Sequence, residues 1–208
     1  MPSKFAIHEH HEFLAASREA LDSPNLQIAL NRLGETLALG NRNAFEQLPG
    51  SSLLRDKARA IKDETLAHLD IVLVSVHSRF NLSKPAMTRR IVRALQHPRV
   101  HVLGHPTGRL IGKREPYPLD MEEIVKAARD YGVLLEVNAQ PDRLDLNDLH
   151  VAMARQAGVR VVIGTDAHRV EELACMRYGV DQARRGWCEA KDVANTLNLE
   201  MFRKLIQK

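Results

Sequence analysis

Four residues of this sequence combine metal-ligand chemistry with a common setting: His77, His105, Asp166 and His168. Each closely follows a short apolar run, in Ser75-Val76-His77-Ser78, Gly104-His105-Pro106 and Gly164-Thr165-Asp166-Ala167-His168, and a further run ends in Glu136-Val137-Asn138. A single histidine in such a place is as readily a hydrogen-bonded structural residue as a ligand. His, His, Asn and Asp-x-His at four successive run ends are harder to assign to structure alone. Residues i and i+2 of an extended segment point to the same side, so Asp166 and His168 can converge on one cation. Mixed imidazole and carboxylate donors suit zinc or manganese, and also iron, whereas a magnesium site is nearly all oxygen. Two such ions close together would activate water and neutralise a phosphate ester. Arg109, Lys113, Arg114 and Arg143 fall just after these runs, where guanidinium forks can hold phosphate oxygens. Solvated loop charges are the competing reading. Arg109, Arg114, Asn138 and Arg143 are the candidate phosphate contacts.

The elements that must position these residues alternate from residue 70 onward. IVLVSV is followed by a helical stretch around MTRRIVRAL, VHVLG by MEEIVKAARDYG, VLLEVN by NDLHVAMARQAG, and VRVVIG by VEELACMRYGV. Strand–helix alternation with nearly all-apolar strands predicts an α/β fold whose parallel strands are buried on both faces. Active sites of such folds assemble at the C-terminal strand edge, where the four run ends fall. Gly132 and Gly158 stand just past helix ends, where a left-handed residue is favoured. A helical tail follows Trp187. Four or five strands do not close a barrel. The sheet should therefore be open, with an unpaired edge and an inner face for other helices or a second copy of the chain to cover.

Ahead of residue 70 the character differs. Residues 1–12 read as a flexible tail and 13–69 as a helical hairpin, with Leu26, Ala29, Leu30, Leu33 and Leu37 on one face. Asp22-Ser23-Pro24 is a suitable start, and Pro49-Gly50 breaks the pattern before LLRDKARAIKDETLAHL resumes it. The net charge of +4 and pI near 9.2 suit a phosphate-bearing partner or an ordinary solvated surface equally. Cys175 and Cys188 form no metal-spaced or redox pair, which fits a reducing cytoplasm. No apolar run approaches the ~20 residues of a membrane span, and MPSKFAIHEHHEF reads as no export signal.

SVHSRFNLSK, LGHPTGRLIGKREPYPLDME, LEVNAQPDRLDLND, GTDAHRVEEL and MRYGVDQARRGW resemble the second half of the PHP domain of bacterial family X DNA polymerases. The resemblance covers residues 70–208. It implies a distorted (β/α) barrel, here incomplete, with a metal centre at the strand C-termini and 3′–5′ exonuclease or 3′-phosphatase activity on a DNA end or another phosphate ester. His77, His105, Asp166 and His168 match family metal ligands, in agreement with their strand-end placement.

The family's remaining ligands lie in its first half, in an opening His-x-His with a following Asp, then a His and a Glu. Those motifs are missing here, and His8-Glu9-His10 lacks the expected continuation. SPNLQIALNRLGETLALGNRNAF and LLRDKARAIKDETLAHLD instead resemble the N-terminal helices of lactate-utilisation iron–sulfur proteins, without that family's cluster cysteines. The expectation is a phosphoesterase module with an incomplete metal site and impaired activity. The alternative is a non-catalytic remnant serving as an interaction or structural module.

Overall fold

The computed structural model describes residue 66 and residues 69–207. The expected tail, nearly all of the helical hairpin and His8-Glu9-His10 lie outside the described residues. Valine- and leucine-rich runs form β1 (Leu73–Val74), β2 (Val102–Leu103), β3 (Leu134–Asn138) and β4 (Val161–Gly164). They pair in sequence order, and every pair is parallel. Between and after them come α1 (Lys84–Leu95), α2 (Met121–Asp130), α3 (Asp148–Gln156), α4 (Met176–Arg185) and α5 (Leu199–Ile206). This is the open α/β sheet expected of an incomplete barrel.

Side chains alternate across a strand, so each strand must bury two faces. Leu103, Leu135 and Val137 join a core with Met87, Ile91, Ile124 and Val151 from the helices. Val102 and Leu134 point the other way, into a second cluster with Ala194 and Ile206, packed by Phe202 and Leu205 of α5. The inner face therefore has a cover of its own: the C-terminal helix lies on part of it.

Asp120, Asn147 and Asn198 each accept the backbone N–H of the residue three positions on, starting α2, α3 and α5. Gly132 and Gly158 take positive φ values of 60° and 76° past α2 and α3, as their positions require. Two elements differ from the sequence reading. β1 is much shorter than IVLVSV; at its start the ring of His101 accepts the Val72 N–H at 2.9 Å, taking that donor out of the ladder. The helix expected around VEELACMRYGV is divided: Val170–Cys175 winds as a 3-10 helix with no buried residue, and α4 begins only where packing does. No described helix is long and apolar enough to cross a membrane.

Candidate metal and phosphate site

His77 and His105 follow the C-terminal ends of β1 and β2. Their rings meet edge to face with centroids 5.0 Å apart. Ser75 Oγ lies 2.7 Å from His77 Nε2 and fixes one side of that ring. His105 is buried, and its Nδ1 has no hydrogen-bond partner. Burial and then the nearby Arg143 charge push the His105 pKa down to about 3, and the same two causes lower that of His77. Both rings are held neutral at pH 7, the form in which imidazole ligates a metal.

The backbone at His105 is left-handed, with φ 30°. Its N–H donates to Glu136 Oε2 at 2.6 Å. Glu136 lies on β3 and is buried, and its pKa is raised to about 7, first by burial. The carboxyl fits because its neighbour on β4 is a glycine; the glycine on the β2 side, Gly104, makes room chiefly for Leu73, 2.6 Å from where its Cβ would lie. A Cβ at Gly164 would lie 2.3 Å from Oε1, and one at Gly104 would lie 3.4 Å from Oε2. Asn138, two residues along, is fully buried; its amide reaches Glu136 Oε2 at 3.4 Å and its oxygen accepts the Gln140 N–H at 3.1 Å.

The loops after β2 and β3 are fastened together. Buried Asp145 accepts the backbone N–H groups of Thr107, at 3.0 Å, and Gly108, at 2.8 Å. The Arg109 side chain donates to Arg143 O at 2.6 Å and also to Leu144 O, so it holds the loop. Arg114 donates from Nε to Gly108 O at 2.9 Å and stacks over Phe80 at 4.1 Å, while Lys113 pairs with Asp142 at 3.6 Å. Tyr117 anchors the first loop through a 2.7 Å bond from its hydroxyl to Pro106 O. Gly108, at φ 63°, faces that ring, and a Cβ there would lie 2.3 Å from Tyr117 Cε1. Gly108→Ala combines this overlap with a left-handed backbone. It should cost about 3 kcal/mol in urea unfolding, and a loss below about 1 kcal/mol would mean that the buried ring moves aside.

Asp166 sits after β4 with φ 49°, its side chain 3.3 Å from Arg143 Nε. Gln140 steadies this turn by donating to Thr165 O at 2.8 Å. His168 is exposed; its Nδ1 lies 2.8 Å from Asp166 O, and its N–H donates to Glu172 Oε2 at 2.6 Å. The four residues picked from the sequence thus gather at one sheet edge to different degrees. His77 and His105 meet, and Asp166 is close enough to act on the charge of His77. His168 is tied to Asp166. In donor type the set fits a zinc- or manganese-like cation, and the buried Nδ1 of His105, without a protein partner, is in the condition of a ligand nitrogen. Among the described residues no three or more His, Cys, Asp or Glu side chains converge to hold an ion. Asp166 faces the Arg143 guanidinium, whose Nη1 is likewise buried without a partner.

No family model matches the chain. It is 38% identical over 200 residues to the DNA polymerase/3′-5′ exonuclease PolX of Bacillus subtilis, across 94% of this chain and 34% of the polymerase. That match necessarily runs well ahead of residue 70. A probable phosphatase of Caldanaerobacter subterraneus is 29% identical over 141 residues, 59% of this chain and 53% of the phosphatase. One of Vibrio parahaemolyticus is 29% identical over 150 residues, 67% and 57% of the two chains. The chain therefore spans about a third of the polymerase's length and somewhat over half of these phosphatases. With its open parallel sheet, its strand-end histidines and Asp-x-His, and these relatives, the chain is similar over nearly all of its length to part of a bacterial family X DNA polymerase, as its resemblance to the PHP domain of those enzymes implies.

Proposed function

We propose that this chain is a metal-dependent phosphoesterase module whose substrate is a phosphate ester, with the 3′ end of DNA as the leading class. The observation that carries the reading is the 5.0 Å pairing of the neutral rings of His77 and His105, with a buried, unpartnered Nδ1 on His105. A zinc or manganese ion held by His77, His105 and Asp166, with His168 beside Asp166, would supply the Lewis acidity for attack of water on phosphorus. The chain's own part is to bind and orient. Arg114 and Arg143 lie close enough to both histidines for their charges to act on them, which supports a role for their guanidinium groups in holding phosphate oxygens. Arg109 holds the Arg143 backbone in place.

Supplied with manganese, the chain should hydrolyse a phosphomonoester or remove a DNA 3′ phosphate or nucleotide. Arg114→Gln should lower kcat/KM about tenfold or more, mainly through KM, because a charge-assisted contact to substrate is lost. The second reading, a non-catalytic module, draws on the Arg143–Asp166 ion pair, which neutralises the carboxylate a metal would need. Absence of hydrolysis on both substrates would favour it. Self-association through the β1 edge belongs to the proposal, and sedimentation as a monomer at high concentration would remove it. A cytoplasmic setting agrees with the two free cysteines.

A further inference from the structure

Glu136 is an ionisable side chain, fully enclosed, in a strand whose neighbours Leu135 and Val137 are apolar. An apolar residue would meet the needs of the sheet at far lower desolvation cost. Its contacts indicate why a carboxyl stands there. Oε2 holds the N–H of His105 at 2.6 Å, at a residue whose φ of 30° is unfavourable for a side chain with a Cβ. Oε1 lies against Gly164 at the end of β4, two residues before Asp166, which is itself left-handed at φ 49°. One carboxyl therefore spans the sheet end between the residue that presents His105 and the turn that presents Asp166. Gly164, at the last position of its apolar run, leaves the room it occupies.

We propose that Glu136 is a positioning residue for the metal site: it touches neither metal nor substrate, and it sets the backbone of His105 and the spacing to the Asp166 turn. This rests on the reading of His77, His105 and Asp166 as ligands. The test uses cobalt(II) as the probe, followed by its d–d absorption, with the full chain and two substitutions of similar length. Glu136→Gln keeps an acceptor for the His105 N–H and should bind cobalt within about threefold of the parent. Glu136→Met has no such acceptor and should bind about ten- to a hundredfold more weakly, with an altered absorption spectrum. In metal-free protein the His105 amide resonance should move upfield in Glu136→Met and stay near its parent position in Glu136→Gln.

A folded Glu136→Met protein with parental affinity, parental absorption and an unmoved His105 amide would overturn the proposal. If Glu136→Met does not fold, Gly164→Ala decides, since its methyl displaces Oε1 while leaving the carboxyl in the chain. Weakened cobalt binding there supports the proposal, and unchanged binding overturns it. A parent chain that binds no cobalt would refute the metal reading instead, and the His105 amide shift would then decide the positioning role alone.

Discussion

Asp145→Asn is expected to lower stability by about 3 kcal/mol in urea unfolding and to loosen the loop that follows His105. The Asp145 carboxyl is fully buried and accepts the N–H groups of Thr107 and Gly108. The Thr107 N–H depends on this side chain for the partner that a buried donor requires, while the Gly108 N–H is shared with the His105 carbonyl at 2.9 Å. Asparagine keeps the shape but removes the charge and turns an amide NH2 group toward one of these donors, so one neutral acceptor replaces two charged ones. Hydrogen bonds to a charged group contribute about 1.5–3 kcal/mol each, and an orphaned buried donor costs about 1–3 kcal/mol. The backbone of Asp145 also bridges to Asn138, with Asn138 N donating at 2.6 Å and Asp145 N donating back at 3.2 Å. A change under about 1 kcal/mol would show that water replaces the carboxyl and that the loops are not fastened at this point.

The second large effect concerns pH in metal-free protein. The Glu136 pKa is raised from 4.5 to about 7 in the fold. The folded state therefore holds a proton that the unfolded chain has released. The associated stability is full below about pH 4.5 and is lost as pH rises toward 7. His105 has the opposite sign: its pKa falls from 6.5 to about 3, so its stability is full above about pH 6.5 and is lost as pH falls. Each slope approaches about 1.4 kcal/mol per pH unit where only one state is protonated. Asp145, raised from 3.8 to about 6, adds to the first slope, and the lowered His77 adds to the second. Between pH 4.5 and 6.5 the two directions offset each other, and the parent chain should show a shallow profile. Glu136→Gln removes one contributor. Its stability relative to the parent should rise by about 2–3 kcal/mol from pH 4.5 to 6.5, measured by urea unfolding at several pH values after chelation. Parallel profiles for the two proteins would mean that Glu136 does not hold its proton in this range.

Much of this arrangement is legible in the sequence because it is carried by local signals. Apolar runs ending in His77, His105, Asn138 and Asp166-x-His168 mark strand ends, and glycines at 132 and 158 mark helix ends. The rest depends on contacts between residues far apart in sequence. Nothing near PDRLD announces that Asp145 fastens Thr107, or that Arg109 is committed to the Arg143 carbonyl. Asn138 reads as a strand-end polar group free to meet phosphate, yet its neighbours are Glu136 and Gln140. Glu136 itself looks like a polar interruption in LLEVN. A signal for it does exist in the chain: glycine closes both VHVLG and VRVVIG, and those are the positions that flank its carboxyl. His101 likewise reads as an ordinary residue in VHVLG, although its ring takes the Val72 N–H at the start of β1.

Metal content is the most direct test of the central claim. The full chain, purified after growth with added manganese or zinc and freed of loosely held ions, is subjected to elemental analysis beside Asp166→Ala. Stoichiometric metal in the parent and near-complete loss in the variant is the predicted result. No metal in either protein, or equal metal in both, would contradict the assignment of His77, His105 and Asp166 to a metal site.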